Sequence, residues 1–116
     1  MADPCKIAVV GATGAVGRVF LEVLQEHKFP ADTVRLCASQ RSVGRKLKVF
    51  NQEVEVEPAS PELMREVDLA FISANAAVSR DLAPIAVESG AVVIDDSSAF
   101  RMDPNVPLVV PEVNAD

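Results

Sequence analysis

A glycine-rich turn near the start of the chain constrains the fold more than any other feature. The segment 11–17, Gly-Ala-Thr-Gly-Ala-Val-Gly, follows a short apolar run and opens a stretch with helical periodicity. Glycines at such a junction allow a tight turn, leave room for a phosphate and let the helix approach the strand closely. N–H groups at the helix start can then bind a pyrophosphate, and the Thr13 hydroxyl adds a donor. With Gly11 and Gly14 in the turn, the pattern predicts a dinucleotide site; a turn without a ligand is the less favoured alternative.

Short apolar runs indicate strands that are buried on both faces. They cover residues 5–10, 33–38, 69–72 and 91–94, and a further extended run covers 108–110. Two other segments, 46–50 and 53–57, alternate polar with apolar residues, as strands with one solvated face do. These two strands are expected to pair as a hairpin through Asn51-Gln52.

Helices are predicted between the strands. The first runs from Gly14 to about Lys28, and its buried face consists of apolar residues at helical spacing. Those residues are Val16, Phe20, Val23 and Leu24. A short helix with Ser60 as its N-cap follows, and then an alanine-rich helix over 79–89 with Gly90 at its C-terminal cap.

Buried strands that alternate with helices predict a doubly wound, Rossmann-type α/β fold with a mostly parallel sheet. The chain has 116 residues, which is enough for one hydrophobic core, and shows no interior linker. A single domain, 1–116, is therefore expected.

The end of the second predicted strand distinguishes between the two nicotinamide cofactors. NAD sites commonly carry an Asp or Glu about 20 residues after the glycines, where the carboxylate accepts hydrogen bonds from ribose hydroxyls. Here the chain reads Ala38-Ser39-Gln40-Arg41-Ser42, with no acidic residue. A guanidinium flanked by hydroxyls suits the dianionic 2′-phosphate of NADP. Ser39, Arg41 and Ser42 are therefore predicted to bind NADP, unless Arg41 is only a solvated loop charge.

Charge and apolar content exclude several classes of partner. The formal net charge of −6 argues against binding to nucleic acid or an anionic membrane. No apolar run reaches the roughly 18 residues of a membrane span, and the first residues do not resemble a secretory signal, so a cytoplasmic location is expected. Cys5 and Cys37 are expected to be reduced and buried, and no Cys or His spacing suggests a metal site.

Three segments of the chain resemble one enzyme family. They are Gly-Ala-Thr-Gly-Ala-Val-Gly at 11–17, Ala-Ser-Gln-Arg-Ser-Val-Gly at 38–44, and Asp-Ser-Ser-Ala-Phe-Arg-Met-Asp-Pro-Asn-Val-Pro-Leu-Val-Val-Pro-Glu-Val-Asn at 96–114. Together they are similar to aspartate-semialdehyde dehydrogenase. The third segment separates that family from the related N-acetyl-glutamyl-phosphate reductases, which remain the nearest alternative. The resemblance covers essentially the whole chain.

The resemblance implies an oxidoreductase of lysine, methionine and threonine biosynthesis. In that family, aspartyl phosphate is converted to aspartate semialdehyde, NADPH donates the hydride, and a cysteine forms an acyl-thioester. Arg101 matches the arginine that binds the phosphate of the substrate or inorganic phosphate. The residues assigned to the cofactor, from the pattern and the resemblance together, are Gly11, Thr13, Gly14, Ala15, Val16, Ser39, Arg41, Ser42, Ser73 and Ala74.

The chain departs from the family pattern in two places. Relatives have Ser-Ala-Gly-Gly where this chain has Ser73-Ala74-Asn75-Ala76, so the backbone is expected to have less freedom near the cofactor. The sequence also ends at Asp116, before the Asn-Cys segment that supplies the family's nucleophile. It is therefore expected to be the NADP-binding part of a two-domain enzyme that lacks turnover by itself. The full enzyme is expected to be a homo-oligomer and this segment a monomer or weakly associating.

Two other functions stay open at this point. One is a non-catalytic NADP-binding or regulatory module that uses the same fold, since a fold does not determine a function. The other is a scaffold that merely inherited the cofactor site. The segment around Arg101 disfavours the module, because a cofactor sensor has no need for an arginine that binds a substrate phosphate. The sequence does not exclude the scaffold, and the Asn75-Ala76 departure slightly favours it.

Overall fold

The computed structural model describes residues 5–28 and 31–95, which form a six-stranded sheet with helices on both faces. The strands are β1 (Cys5–Val10), β2 (Ala31–Cys37), β3 (Lys46–Val49), β4 (Gln52–Glu57), β5 (Leu69–Ile72) and β6 (Val92–Asp95). They lie in the order β3-β4-β2-β1-β5-β6, and all neighbours are parallel except β3 and β4. This arrangement confirms the predicted doubly wound, mostly parallel α/β fold.

Two hydrophobic cores lie on the two faces of the sheet, because successive residues of a strand point to opposite sides. The helices are α1 (Ala15–Glu26), α2 (Pro61–Glu66) and α3 (Ala76–Glu88). In β1, Ile7 and Val9 pack on the face covered by α1, whereas Ala8 and Val10 pack on the face covered by α2 and α3. Burial on both faces explains why this strand is a continuous apolar run.

The buried face of α1 differs from the predicted one. Gly17, Leu21 and Leu24 are buried, whereas Val16 and Val23 are 50% and 44% exposed. The prediction that Val16 and Val23 face the core is therefore wrong, while Leu24 is buried as expected. The helix is rotated so that a glycine, and not a valine, lies against the sheet.

Gly17 determines this rotation because it brings α1 against the glycine turn. A Cβ at this position would lie 2.2 Å from the carbonyl oxygen of Gly11 and 3.0 Å from the Cα of Ala12. No side chain fits in that space. Phe20 lies half-buried at the edge of the same face and stacks on Phe71 of β5, with ring centroids 3.9 Å apart.

The β3–β4 hairpin forms as predicted, but its turn lies one residue earlier. The antiparallel pairing extends to Val49 and Gln52, so Phe50 and Asn51 form the connection and the prediction of Asn51-Gln52 is wrong. Both residues have positive φ, 51° and 65°, which is the conformation of a two-residue turn that matches the twist of the strands. The side-chain oxygen of Gln25 in α1 accepts a hydrogen bond from Phe50 N–H at 3.1 Å and ties the hairpin to the helix.

The predicted ends of the other two helices are largely confirmed. The Ser60 hydroxyl accepts a hydrogen bond from Leu63 N–H at 3.2 Å, as an N-cap does. The third helix begins at Ala76, three residues before its predicted start. Gly90 follows its end with a φ of 95°, which suits the predicted cap position. The predicted strand at 108–110 lies outside the described residues.

Cys37 is completely buried at the end of β2 and has a free thiol. Burial, and secondarily the negative charge of Glu57, raises the pKa of this thiol to about 12. Cys5, also a free thiol, is only partly buried at the beginning of β1, and desolvation together with Asp68 raises its pKa. The expectation of a buried cysteine is confirmed for Cys37, whereas for Cys5 the burial is partial.

Cys37 is expected to resist alkylation while the chain is folded. At about pH 8, a pKa of about 12 leaves on the order of one thiol in ten thousand ionised. In a Cys5→Ser variant, iodoacetamide should therefore label Cys37 only as fast as the chain unfolds, as followed by mass spectrometry. The same variant in urea is the control and should be labelled quickly. Equal rates with and without urea would contradict the buried position.

Replacement of Gly17 by Ala is expected to destabilise the fold, although alanine is the better helix former. The added Cβ would meet the Gly11 carbonyl oxygen at 2.2 Å, and overpacking of this kind costs about 1–3 kcal/mol. Gly14→Ala is the matched control, because a Cβ there would lie 3.4 Å from the same oxygen. Urea denaturation should give a lower free energy of unfolding for Gly17→Ala than for Gly14→Ala. Equal values would disprove the close approach of helix and turn.

Candidate functional site

The carboxyl ends of β1 and β5 lie side by side at the point where the strand order of the sheet reverses. From β1 the sheet continues through β2 and β4 on one side, and from β5 to β6 on the other. At such a point the connections leave adjacent strands on opposite faces and open a crevice in which ligands bind. The glycine turn leads from β1 into α1, and residues 73–75 lead from β5 into α3, so both segments border this crevice.

Gly11 and Ser73 touch through their backbones in this crevice. Gly11 has a φ of 89°, and a Cβ on it would lie 2.0 Å from the carbonyl oxygen of Ser73. The Ser73 N–H donates to the Val10 carbonyl at 2.8 Å, and the Gly11 N–H donates to the Cys37 carbonyl at 2.8 Å. The turn is therefore fixed between β2 and β5, and only glycine fits at position 11.

The N–H groups that open α1 are available to an anion. The Gly14 N–H donates to the Gly11 carbonyl at 3.0 Å, so both glycines provide space while their own N–H groups are used within the fold. Ala15 and Val16 stand in the first helical turn, where no earlier turn supplies carbonyl acceptors. Gly14 provides no side-chain cap, and the first turn contains no acidic residue. The positive end of the helix dipole is therefore uncompensated.

The N-terminus of α3, by contrast, is closed by a side chain. The side-chain oxygen of Asn75 accepts a hydrogen bond from the Val78 N–H at 2.9 Å. The Asn75 backbone has a φ of −74° and a ψ of 165°, which any residue adopts. Asparagine in place of the glycine of the family pattern is therefore accommodated without strain. Of the two helices that begin at the crevice, α1 is the one with an open end.

The loop after β2 lies beside the glycine turn. The Thr13 hydroxyl donates a hydrogen bond to the Ser42 hydroxyl at 3.1 Å. The Ser42 N–H donates to the Ser39 carbonyl at 2.9 Å, which folds the loop into a tight turn. Arg41 is exposed within that turn, and none of the carboxylates whose side chains the structure describes forms an ion pair with it. A phosphate bound to the first segment would therefore lie near a second segment with an unpaired cation.

A pocket of about 410 Å³ adjoins these segments. The ends of four strands and the first turns of α3 form its wall. The lining residues are Val10, Gly11, Ala38, Ser39, Gln40, Pro58, Ala59, Ala74, Asn75, Val78, Asp81 and Leu82. Most of these side chains are aliphatic, and the polar ones are few. Such a mixture is typical of a site for an organic ring that makes a small number of polar contacts.

The structure brings the residues that the sequence assigned to a cofactor into one region. Gly11, Ser39 and Ala74 line the pocket, and Ser73 abuts Gly11. The other assigned residues of the described chain lie in the glycine turn and in the loop after β2. Arg101 lies outside the described residues.

The part of the pocket wall that β4 and α3 contribute was not predicted from the sequence. Pro58 and Ala59 follow β4, which pairs in parallel with β2 and so ends at the same edge of the sheet. Val78, Asp81 and Leu82 share one face of α3, because residues three and four apart are neighbours on a helix. Helical spacing could have identified this face. The pairing of β4 with β2 leaves no local signal in the sequence.

Charged and buried polar groups away from the crevice stabilise the fold. Arg35 forms ion pairs with Glu57 at 2.6 Å and Glu66 at 2.8 Å, and its hydrogen bond to Glu57 is the main cause of its raised pKa. Ser79 of α3 is completely buried and donates to the Asp95 carboxylate at the end of β6.

In the described part of the chain, no group of three or more His, Cys, Asp and Glu residues could hold a metal ion. Among the described helices, none has the length and apolar character of a membrane-spanning segment.

Comparison with known proteins confirms the resemblance. Residues 6–116 match the family model described as semialdehyde dehydrogenase, NAD binding domain. The aspartate-semialdehyde dehydrogenase of Bacillus subtilis is 55% identical over 108 residues, which cover 93% of this chain and 31% of that protein. The chain thus spans about a third of the length of this relative.

Solved structures show the same relationship. The structure of aspartate semialdehyde dehydrogenase II from Vibrio cholerae, complexed with ASA, has a TM-score of 0.88 and 46% identity, covering 97% of this chain and 37% of that chain. The structure of aspartate semialdehyde dehydrogenase with NADP from Candida albicans has a TM-score of 0.78 and 34% identity, covering 97% and 35%. The chain therefore belongs to the semialdehyde dehydrogenase family, as an NAD(P)-binding domain of the aspartate-semialdehyde dehydrogenase type.

Proposed function

We propose that this chain binds NADP(H) in the crevice between β1 and β5, as the cofactor-binding part of an aspartate-semialdehyde dehydrogenase. The observation that carries the proposal is the open N-terminus of α1 beside the Arg41 loop, joined to it by the hydrogen bond between Thr13 and Ser42. A pyrophosphate fits the helix end and a 2′-phosphate fits the loop. NADP carries both groups on one ribose.

Selectivity for NADP over NAD is assigned to the loop after β2. No carboxylate follows this strand to accept hydrogen bonds from a ribose diol. The Arg41 guanidinium is exposed and can meet two phosphate oxygens at once. Ser39 and Ser42 add hydroxyl donors on either side of it.

The adenine ring is assigned to the aliphatic pocket. Adenine and the 2′-phosphate are attached to the same ribose, so the ring lies within reach of the Arg41 loop. Ala38 and Ser39 lead from β2 into the pocket wall, and Pro58 and Val78 offer apolar surface for a flat ring. The nicotinamide then extends from the pyrophosphate to the other side of the crevice, near the ends of β5 and β6.

The reaction proposed for the complete enzyme is the reduction of aspartyl phosphate to aspartate semialdehyde, with release of phosphate and with Arg101 binding the phosphate group. This reaction needs a thiolate nucleophile. Burial raises the pKa of Cys37 to about 12, and Cys5 begins β1, at the end of the strand opposite the crevice. Neither thiol is suited to the role. This chain is therefore proposed to bind the cofactor without turnover on its own. Its cytoplasmic location, and its state as a monomer or a weakly associating chain, stay predictions.

A second function, a non-catalytic nucleotide-binding module, is favoured by one observation. Among the described residues, the crevice offers groups suited to a phosphate and a ring, but no cysteine thiol lines the pocket. A cofactor sensor would need only those binding groups. The two functions differ in whether the domain supports hydride transfer when it is joined to the rest of an enzyme of this family.

Arg41→Ala is expected to weaken NADPH binding about tenfold or more, since a charge-assisted hydrogen bond to the 2′-phosphate is lost. NADH lacks that phosphate, so its affinity should change little. Titration of the nicotinamide fluorescence measures both constants. Arg65→Ala is the matched control, because it removes the same charge from the last turn of α2. Equal weakening of NADPH and NADH in Arg41→Ala would disprove the role of this arginine.

A chimera is expected to distinguish the two functions. In it, this chain replaces the matched region of the Bacillus subtilis enzyme, to which it is 55% identical. A dehydrogenase domain should support phosphate-dependent oxidation of aspartate semialdehyde by NADP, followed by NADPH absorbance. Arg101→Ala should then raise the phosphate concentration needed, whereas Arg80→Ala, the charge-matched control, should not. A folded chimera that binds NADPH without turnover would favour the non-catalytic module.

A further inference from the structure

One carboxylate stands among the aliphatic residues of the pocket. Asp81 lies in the second turn of α3, on the same face as Val78 and Leu82, and all three residues line the pocket. Leu82 is buried and Val78 is half-buried, whereas Asp81 is exposed. The carboxylate therefore lies at the margin of the pocket, where one side faces the apolar wall and the other faces solvent.

No structural role accounts for a charge at this place. Among the side chains that the structure describes, none forms a hydrogen bond or an ion pair with Asp81. Asp81 lies beyond the first turn of α3, so it does not cap the helix, and Asn75 already fills that role. Its carboxylate oxygens are thus free to accept hydrogen bonds from a ligand in the pocket.

Electrostatics restrict which part of a cofactor Asp81 can contact. The pyrophosphate and the 2′-phosphate are anionic and would be repelled by a carboxylate. They are assigned to the α1 N-terminus and to Arg41, which lie outside the α3 wall. The uncharged donors on the adenosine side of the cofactor are the ribose hydroxyls and the amino group of adenine. The ribose carries the 2′-phosphate, which is assigned to Arg41, so adenine is the donor assigned to the pocket that Asp81 lines. A carboxylate at the rim of the ring pocket suits that amino group.

We propose that Asp81 accepts a hydrogen bond from the exocyclic amino group of adenine and makes the site selective for this base. The inference rests on the proposed NADP binding and adds the residue that distinguishes the base. A base with a carbonyl oxygen at the same ring position would place two acceptors against each other with no proton between them. Hypoxanthine is such a base, and its dinucleotide is otherwise almost identical to NADPH.

The test compares NADPH with reduced nicotinamide hypoxanthine dinucleotide phosphate by fluorescence titration. The unaltered chain should bind NADPH about tenfold more tightly than the hypoxanthine analogue. In Asp81→Ala the two affinities should become nearly equal. Asp81→Asn retains an acceptor and gains a donor, so it should bind both dinucleotides well. Glu88→Ala is the matched control, because it removes the same charge from the same helix at a residue outside the pocket wall.

Results that contradict the Asp81 contact can be distinguished from a result that contradicts NADP binding itself. Equal affinity of the unaltered chain for both dinucleotides, or an undiminished preference in Asp81→Ala, would disprove the role of Asp81 and leave NADP binding intact. An equal loss of preference in Glu88→Ala would show a general charge effect and would also disprove the contact. Failure of the unaltered chain to bind NADPH would overturn the proposed function together with this inference. Circular dichroism of each variant verifies that it is folded.

Discussion

The backbone contact between Gly11 and Ser73 is the constraint on which the rest of the site depends. The turns that follow β1 and β5 can approach so closely only because Gly11 has no side chain, since a Cβ there would lie 2.0 Å from the Ser73 oxygen. This approach brings the N-termini of two helices to one crevice from opposite faces of the sheet. Asn75 closes one of them and Gly14 leaves the other open. Of these two helix ends, the one at α1 therefore offers uncapped N–H groups to the phosphate of the proposed cofactor.

The proposed anion binding at this crevice depends on local charges, which the formal net charge of −6 does not reveal. Arg35 and Arg41, which lie close together in the sequence, show how the surroundings of a cation decide whether its charge is available to a ligand. Arg35, within β2, is committed to Glu57 and Glu66, so its charge is compensated inside the fold. Arg41, in the loop after the strand, is exposed and has no ion-pair partner among the described residues. Placement after the strand end, and not the number of cations, makes the loop suitable for a dianionic phosphate.

The order of strands and helices could be predicted because buried strands and amphipathic helices have distinct periods. Periodicity did not show which face of α1 packs against the sheet and which is exposed. A helix rich in valine has more than one apolar stripe, and Gly17, which contributes almost nothing to hydropathy, decides which stripe packs. The pocket wall at Pro58 and Ala59 was missed for another reason. It depends on the pairing of β4 with β2 across a hairpin, and such long-range pairing leaves no periodic signal.

Backbone and side chains contribute differently to this site, which explains how one fold can combine a constant function with variable selectivity. The pyrophosphate is assigned to N–H groups at the start of α1, and any sequence that maintains the glycine turn supplies them. Selectivity is assigned to Arg41 and Asp81, which are exposed and lie outside both cores. Substitutions at such positions usually change stability little. They can therefore alter which cofactor is bound without altering the fold that binds it.

A single exposed substitution can alter which cofactor is bound, but it does not by itself create a reactive nucleophile in this domain. A reactive cysteine must be accessible and must have a lowered pKa, which requires a nearby cation or an open helix N-terminus. The open helix end here is already assigned to the pyrophosphate, and both cysteines lie in surroundings that raise the pKa of their thiols. A thiolate would also compete with the cofactor phosphates for the same positive field. Cofactor binding and nucleophilic catalysis are therefore better placed on separate structural elements than combined at this crevice.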